Sequence, residues 1–477
     1  GKNDIMDKSI LDLVDYGNGI NSEQLQEWDK KHFMHPWAEV SPSKANFGII
    51  TEGQGIYLYD ETGKKYIDGP GGMWCVNVGY GRKEIASAVS NQLLKLPYTS
   101  PWTSTTEPAT ILAKRIAEKT PKGLDNVFFS TCGSTAIDTA IRFVHFFNNV
   151  LGKKNKKIII GREKGYHGST YLSASVSGKE RDKRDLDTEK SFVKFLPDIN
   201  PYNRPANMSV ETWCEEKISD LQKCIDDAGP ENVAAFIAEP ILASGGVIIP
   251  PKNYHKRTLE ICQEYDILYI SDEVVTGFGR LGHWFASEEV FGIQPDIITC
   301  AKGLTSGYIP MGATIISDKL INALKNKCQE STLFSHGFTY SGHPAAAVAA
   351  LKNMDLIEEE KILEHVRTIT PHFQDRLQNL GEKYEIIGEA RGMGLLGCLE
   401  GNISSGLTLS ETLTTDYKFG DLIDRATEKR GLLVRPIINM CVFSPPLIIT
   451  KNEVDIMFDI LDEALGEVQN NLFREKK

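Results

Sequence analysis

The sequence predicts an α/β protein built on a mainly parallel sheet, and three observations carry that prediction. Between Asn126 and Ile316, short apolar runs alternate with longer amphipathic stretches of helical period. The runs are rich in β-branched residues and lack a polar alternate position, as strands covered on both faces do. With 477 residues, 41% of them hydrophobic and 25% charged, the chain is long enough to bury a large core, either as several domains or as one catalytic unit.

Taken in order, Gly55 to Asp68 (GIYLYDETGKKYID) reads as a hairpin turning at Glu61-Thr62-Gly63. The strand Val127 to Ser130 (VFFS) then leads into a helix. The runs Ile158 to Gly161, Val233 to Glu239, Ile267 to Ser271, Ile297 to Cys300 and Ala313 to Ser317 follow as buried strands. From about His343 come long helical stretches, then short strands near Gly394 to Glu400 and Gly431 to Val434. The two chain ends are therefore expected to pair into a smaller domain, residues 1–75 with 345–477, around a large domain at 76–344. No Pro- or Gly-rich linker marks the joins.

Composition excludes several function classes. A formal net charge of −11 opposes a phosphate backbone, and basic runs such as Lys153 to Lys157 are short and interrupted, so nucleic-acid binding is not expected. The nine cysteines show no CxxC pair and no metal-ligand spacing, which reads as reduced, small buried residues and no metal site. The first twenty residues carry acids throughout and no continuous apolar core, unlike a signal peptide. The most apolar stretch, Val233 to Pro251, is broken by Glu239, prolines and glycines, unlike a membrane span. The expectation is a soluble cytoplasmic enzyme acting on small molecules.

In an open α/β sheet, ligands lie beyond the carboxyl ends of the strands. After VFFS, Gly133 and Ser134 open a helix whose free N–H groups and dipole suit a phosphate, although a serine there also reads as a plain helix cap. After ILYIS comes Asp272, a carboxylate suited to a metal, a base or a ring nitrogen. After DIITC comes Lys302 beside a glycine, where desolvation lowers an amine pKa from about 10.4 and frees it as a nucleophile toward an aldehyde. Alone, that lysine reads sooner as one snorkelling to solvent. Together, the cradle, carboxylate and lysine match the phosphate, pyridine nitrogen and aldehyde of pyridoxal 5'-phosphate. Tyr166, in Gly165 to Gly168, adds an aromatic for the ring.

The segments SDEVVTGFGRLG (Ser271 to Gly282) and PDIITCAKGLTSGYIPMGA (Pro295 to Ala313) resemble the class III aminotransferases of pyridoxal-phosphate fold type I, in particular the omega-amino acid or amine:pyruvate branch. The resemblance runs from about Gly55 to Pro446. It implies a large domain with a mainly parallel seven-stranded sheet between helices, a smaller α+β domain from both chain ends, and a homodimer or dimer of dimers. Carried over by position, Lys302 would hold the cofactor as a Schiff base and later move the proton. Asp272 would pair with the pyridine nitrogen. Val274 and Tyr166 would flank the ring, Gly133 and Ser134 would bind the phosphate, and Thr339 in HGFTYSGHP would reach that phosphate from the partner subunit. The implied reaction is ping-pong transfer of an amino group from an amine or omega-amino acid to a keto acid, pyruvate foremost.

Departures from the family pattern bear on the substrate. Relatives acting on 4-aminobutyrate or ornithine carry a glutamate five residues on from the glutamate of the Glu-Pro pair, partnered with an arginine; here that residue is Ser244. Arg435 would then be free to turn toward a carboxylate or away from an apolar group, and Trp74 would form a pocket wall. Thr135 and Ile137 stand where many relatives have Glu and Asn. A racemase or decarboxylase on the same scaffold would share Lys302, Asp272 and the cradle. A nucleotide-binding protein is disfavoured by the absence of GxxxxGK[ST] and of GxGxxG between strand and helix.

Overall fold

A hairpin whose turn is locked by a carboxylate opens the fold. In the computed structural model, which describes residues 15–40, 47–403 and 408–475, the first strands are β1 (Ile50–Gln54), β2 (Tyr57–Asp60) and β3 (Lys65–Asp68). Between β2 and β3, Asp60 Oδ1 accepts the N–H groups of Thr62 (2.9 Å) and Lys64 (3.0 Å), an arrangement that aspartate favours in turns. The expected hairpin is thus present, with β1 added at its edge. Part of the N-terminal stretch read for a targeting signal, 1–14, lies outside the described residues.

The uniformly apolar runs form β4 (Leu124–Ser130), β5 (Ile158–Arg162), β7 (Val233–Ala238), β8 (Leu268–Asp272), β9 (Ile297–Cys300) and β10 (Gly312–Ser317), with β6 (Val193–Leu196) falling between β5 and β7 in the chain. They make a seven-stranded sheet in the order β4-β10-β9-β8-β7-β5-β6. Only β10 runs against its neighbours. Alternation within the runs separates two cores. Ile159, Ala235, Ile237 and Ile270 face the helix Gly133–Val150, which contributes Ile137, Ile141, Val144 and Phe147. Ile160, Phe236 and Tyr269 face the helices Val210–Ala228 and Tyr254–Glu264 through Leu221, Ile225, Leu259 and Cys262. Every position of β7, β8 and β9 is buried, which explains why the sequence there shows no polar alternate. The edge strand β6 was not expected; it is four residues long and exposes Lys194, so its apolar signal is weak.

The remaining strands are β11 (Ile387–Met393), β12 (Leu396–Gly401), β13 (Leu432–Leu433) and β14 (Met440–Phe443). β11, β12 and β14 form an antiparallel sheet, and β13 joins β3 in parallel with Leu432 opposite Ile67. One hydrophobic core takes in Ile56, Ile67, Val78 and Ile85 together with Phe373, Phe443 and Phe458, so the two ends of the chain share an interior. The apolar stretch at 233–251 is β7 and the turn after it, and no helix among the described residues is long and apolar enough to cross a membrane. All nine cysteines are free thiols. Cys214, Cys262, Cys300, Cys398 and Cys441 are buried as expected, whereas Cys132 and Cys328 are exposed, the first because it caps a helix at the edge of a cavity.

Candidate active site

The carboxyl ends of the central strands open onto a cavity of about 790 Å³, a volume suited to a small molecule with a bound cofactor. Gly133, Ser134, Tyr166, Asp272, Val274, Lys302, Trp74 and Arg435 all line it. Eight positions spread over 362 residues of chain are thereby brought to one place by the sheet.

At the start of the helix Gly133–Val150 the N-cap is Cys132, and Ser134 has a different task from capping. Its Oγ accepts the N–H of Ser169 at 3.0 Å and so holds the Tyr166 loop against the helix. Asp138 continues that tie, accepting from the Thr170 hydroxyl (2.7 Å) and the Ser173 N–H (3.1 Å). A Cβ on Gly168, which has φ 139°, would stand 2.3 Å from Ser134 Oγ, so only glycine permits the approach. A Cβ on Gly133 would stand 3.1 Å from Val274 Cγ1. The two departures in this helix are absorbed locally. Thr135 Oγ1 accepts the N–H groups of Thr131 (3.2 Å) and Cys132 (3.1 Å), taking over the reach-back of a capping box, and Ile137 is packed in the core.

Asp272 ends β8 with its side chain buried. Oδ2 is 2.6 Å from His167 Nδ1, while Oδ1 accepts from the Val274 N–H (3.0 Å) and, at 3.4 Å, from the Thr299 hydroxyl. Lys302 follows β9 in a left-handed backbone conformation, φ 28°, that disfavours any side chain and marks a position held by its surroundings. Its Nζ donates to the Met73 carbonyl at 2.9 Å and lies 5.9 Å from the Trp74 ring. Burial pulls its pKa below the ordinary lysine value, while Cys75, Asp272 and Glu239 act in the opposite sense. The sequence-based expectation of a partly desolvated amine is therefore met in direction.

The walls are more open. Trp74 has φ 62°, and Arg435 is exposed with one hydrogen bond, Nη1 to the Gly72 carbonyl at 3.4 Å, and with the charges of Asp68 and Asp424 in reach. Ser244 lines the cavity with its Oγ buried and without a partner among the described residues. Lys179, Arg181 and Asp182 add a charged flank, while Trp37, whose ring meets that of Tyr166 edge-on at 6.0 Å, and Tyr417 add aromatic surface. Thr339 does not line the cavity of its own chain; it is exposed, and its carbonyl accepts from the Tyr98 hydroxyl at 2.7 Å. His167, Glu239, Lys179, Trp37 and Tyr417 were not singled out from the sequence. His167 and Glu239 each adjoin a residue or strand end already marked, which was the available signal; Trp37 and Tyr417 come from the chain ends and had none.

Comparison with known proteins gives the family and the fold. A family model described as aminotransferase class-III matches residues 40–465. The chain is 38% identical over 454 residues, 94% of its length and 98% of the other's, to a putrescine–pyruvate aminotransferase of Pseudomonas aeruginosa. It is also 38% identical to the mitochondrial gamma-aminobutyrate transaminase 1 of Oryza sativa, covering 89% of this chain and 82% of that one. Among solved structures, the omega transaminase of Pseudomonas jessenii in complex with PMP superimposes with a TM-score of 0.89 at 33% identity, covering 94% of this chain and 99% of that one.

Proposed function

The chain belongs to the class III aminotransferases, a pyridoxal-phosphate-dependent family of fold type I, and from that premise we propose that its cavity binds pyridoxal 5'-phosphate and moves an amino group from an amine or omega-amino acid to pyruvate. The residues present fit such a cofactor. A helix start at which a Cβ on Gly133 would crowd Val274 suits the phosphate, the buried Asp272 carboxylate suits a protonated ring nitrogen, and Tyr166 and Val274 offer surfaces to a flat ring. The observation that carries the reading is Lys302, an amine desolvated in the same cavity as Asp272 and the helix start.

When bound, the cofactor supplies an aldehyde that takes the amino group and a ring that draws charge from the carbon losing its proton. The protein's part is binding, positioning and proton transfer. Lys302 Nζ would anchor the cofactor through its aldehyde and, as a free amine, would take the proton from the donor carbon and deliver it to the aldehyde-derived carbon on the other side of the nitrogen. Its lowered pKa keeps a larger neutral fraction available for that task at neutral pH. Asp272 holds positive charge at the ring nitrogen. Trp74 walls the reacting carbon from water, and Arg435, without an ion-pair partner among the described residues, turns toward the carboxylate of pyruvate and away from apolar donors. The donor's carbonyl product leaves before pyruvate enters, a double displacement.

Thr339 belongs in this reading to the site of a second copy. It lies beside Tyr98 and Tyr340, with Trp102 against nearby Gly337, all three aromatics exposed, and apolar surface of that kind suits an association site. The test is direct: supply the reconstituted protein with pyruvate and, in turn, β-alanine, taurine, putrescine and an aryl amine, and measure alanine. Formation of alanine with at least one donor, lost in Lys302→Ala, is expected; none from any donor would falsify the substrate assignment.

A further inference from the structure

Glu239 is a buried carboxylate lining the cavity that the transfer described above does not use. It follows β7 directly, and its two oxygens accept the N–H groups of Tyr166 (3.1 Å) and Ala243 (3.3 Å). One side chain thus joins the loop of Tyr166 and His167 to the turn that carries Ser244. Arg162, which could neutralise it, gives Nη2 to the Glu239 backbone carbonyl (2.7 Å) and leaves Nη1 without a partner among the described residues. Its oxygens are thus held by two backbone dipoles, with His167 and Arg162 favouring the charge without bonding to the carboxylate. Around it stand His167 and Tyr166 on the loop after β5, Arg162 at the end of β5, Asp272 at the end of β8, Lys302 after β9, and Lys179 from the charged flank of the cavity.

We propose that Glu239 is a positioning residue for the Asp272–His167 pair, a second buried negative charge that strengthens the site's hold on a protonated pyridine ring when it is ionised. The inference rests on the reading of Asp272 as the partner of the ring nitrogen. Asp272 Oδ2 is already shared with His167 Nδ1 at 2.6 Å, so its hold on a ring depends on the field behind the pair. Burial above all, and then the Asp272 charge, push the pKa of Glu239 up to about 7 against the pulls of His167, the Tyr166 N–H and Arg162. Glu239 accordingly changes charge in the neutral range.

The sign follows from linkage. A cation arriving at Asp272 favours ionised Glu239, so binding expels the Glu239 proton, and by reciprocity binding tightens as pH rises through about 7. Below that range Glu239 is neutral and contributes nothing to the field.

The test uses the full-length apoprotein and pyridoxine 5'-phosphate, which has the ring and phosphate but no aldehyde for Lys302. Its dissociation constant is measured by equilibrium dialysis across the neutral range for the wild type and Glu239→Gln, a change that preserves a carbonyl oxygen for the two N–H groups. The wild type is expected to bind about three- to tenfold more tightly than the variant on the alkaline side of the step, the order of one charge–charge interaction in a protein, and equally on the acid side. Parallel curves would overturn the proposal and leave Glu239 as a structural tie. Should Glu239→Gln fail to fold, Glu239→Asp, which keeps the charge on a side chain one carbon shorter and so changes its distance from the Asp272–His167 pair, must move the midpoint; an unmoved midpoint overturns the proposal as well. Absence of binding by the wild type at every pH would sink the cofactor reading and this inference together, whereas binding without a Glu239-dependent step sinks only the latter.

Discussion

The floor and the mouth of the cavity are built in opposite ways. The floor comes from consecutive strand ends of one sheet, and its polar groups Asp272, His167 and Glu239 are 4%, 4% and 5% exposed, each with hydrogen-bond partners. The mouth comes from the two chain ends, and Trp37, Met73 and Tyr417 are 62%, 57% and 43% exposed. A floor fixed by close packing and satisfied hydrogen bonds holds chemistry constant, because any shift there leaves a buried polar group unpaired. A mouth of exposed, weakly bonded side chains is free to change what enters. The contrast assigns reaction type to one region and substrate choice to the other.

The largest break in that contrast is expected from Lys302→Ala, which removes the proposed anchor and proton carrier: alanine formation should fall by at least about 10³-fold while thermal stability holds or rises, since a desolvated amine is lost and the left-handed backbone strain stays with the alanine. Asp272→Asn should come next. It keeps the shape and the His167 contact but removes the charge, and a fall in kcat on the order of 10²–10³-fold, read in single-turnover kinetics, is the expected result. At the mouth, Arg435→Ala should raise KM for pyruvate about ten- to a hundredfold, the worth of a charge-assisted hydrogen bond, and leave KM for an aryl amine nearly unchanged. Equal effects on both substrates would place Arg435 with the floor. A smaller effect concerns pH. Because burial lowers the Lys302 pKa, the neutral amine is present above a value below 10.5, so the rate at which apoprotein takes up pyridoxal phosphate, followed by stopped flow, should level off before that pH is reached.

The same division governs how much was legible in the sequence. Strands β7, β8 and β9 are buried at every position, so their runs and the residues that end them, Asp272 and Lys302, stood out. The strand β6 did not, since Lys194 interrupts it at the sheet edge. The helix start at Gly133 was readable as a cradle, but the exchange of the capping role to Cys132 and Thr135 was not, because Ser134 is the more common capping residue. His167 and Glu239 escaped notice because their significance lies in acting on Asp272 from other strand ends, His167 by a hydrogen bond and Glu239 by its charge, relations that no local pattern encodes. Trp37 reaches Tyr166 from 129 residues away, a distance set by tertiary packing alone.

Trp74 carries a consequence for how this protein changes over generations. Its φ of 62° is one that glycine adopts freely and that costs any L side chain about 1 kcal/mol or more. Trp74→Gly therefore widens the wall and relieves the backbone in one step, whereas Trp74→Ala widens it and keeps the strain. Side by side, the glycine variant should melt at the same temperature as the alanine variant or above it, the reverse of the usual order for these two residues. In the genetic code a tryptophan codon becomes a glycine codon by one base change and an alanine codon only by two. Under selection for bulkier amines, the accessible mutation and the less strained one coincide at this residue, and lineages of this chain should widen their pocket there first.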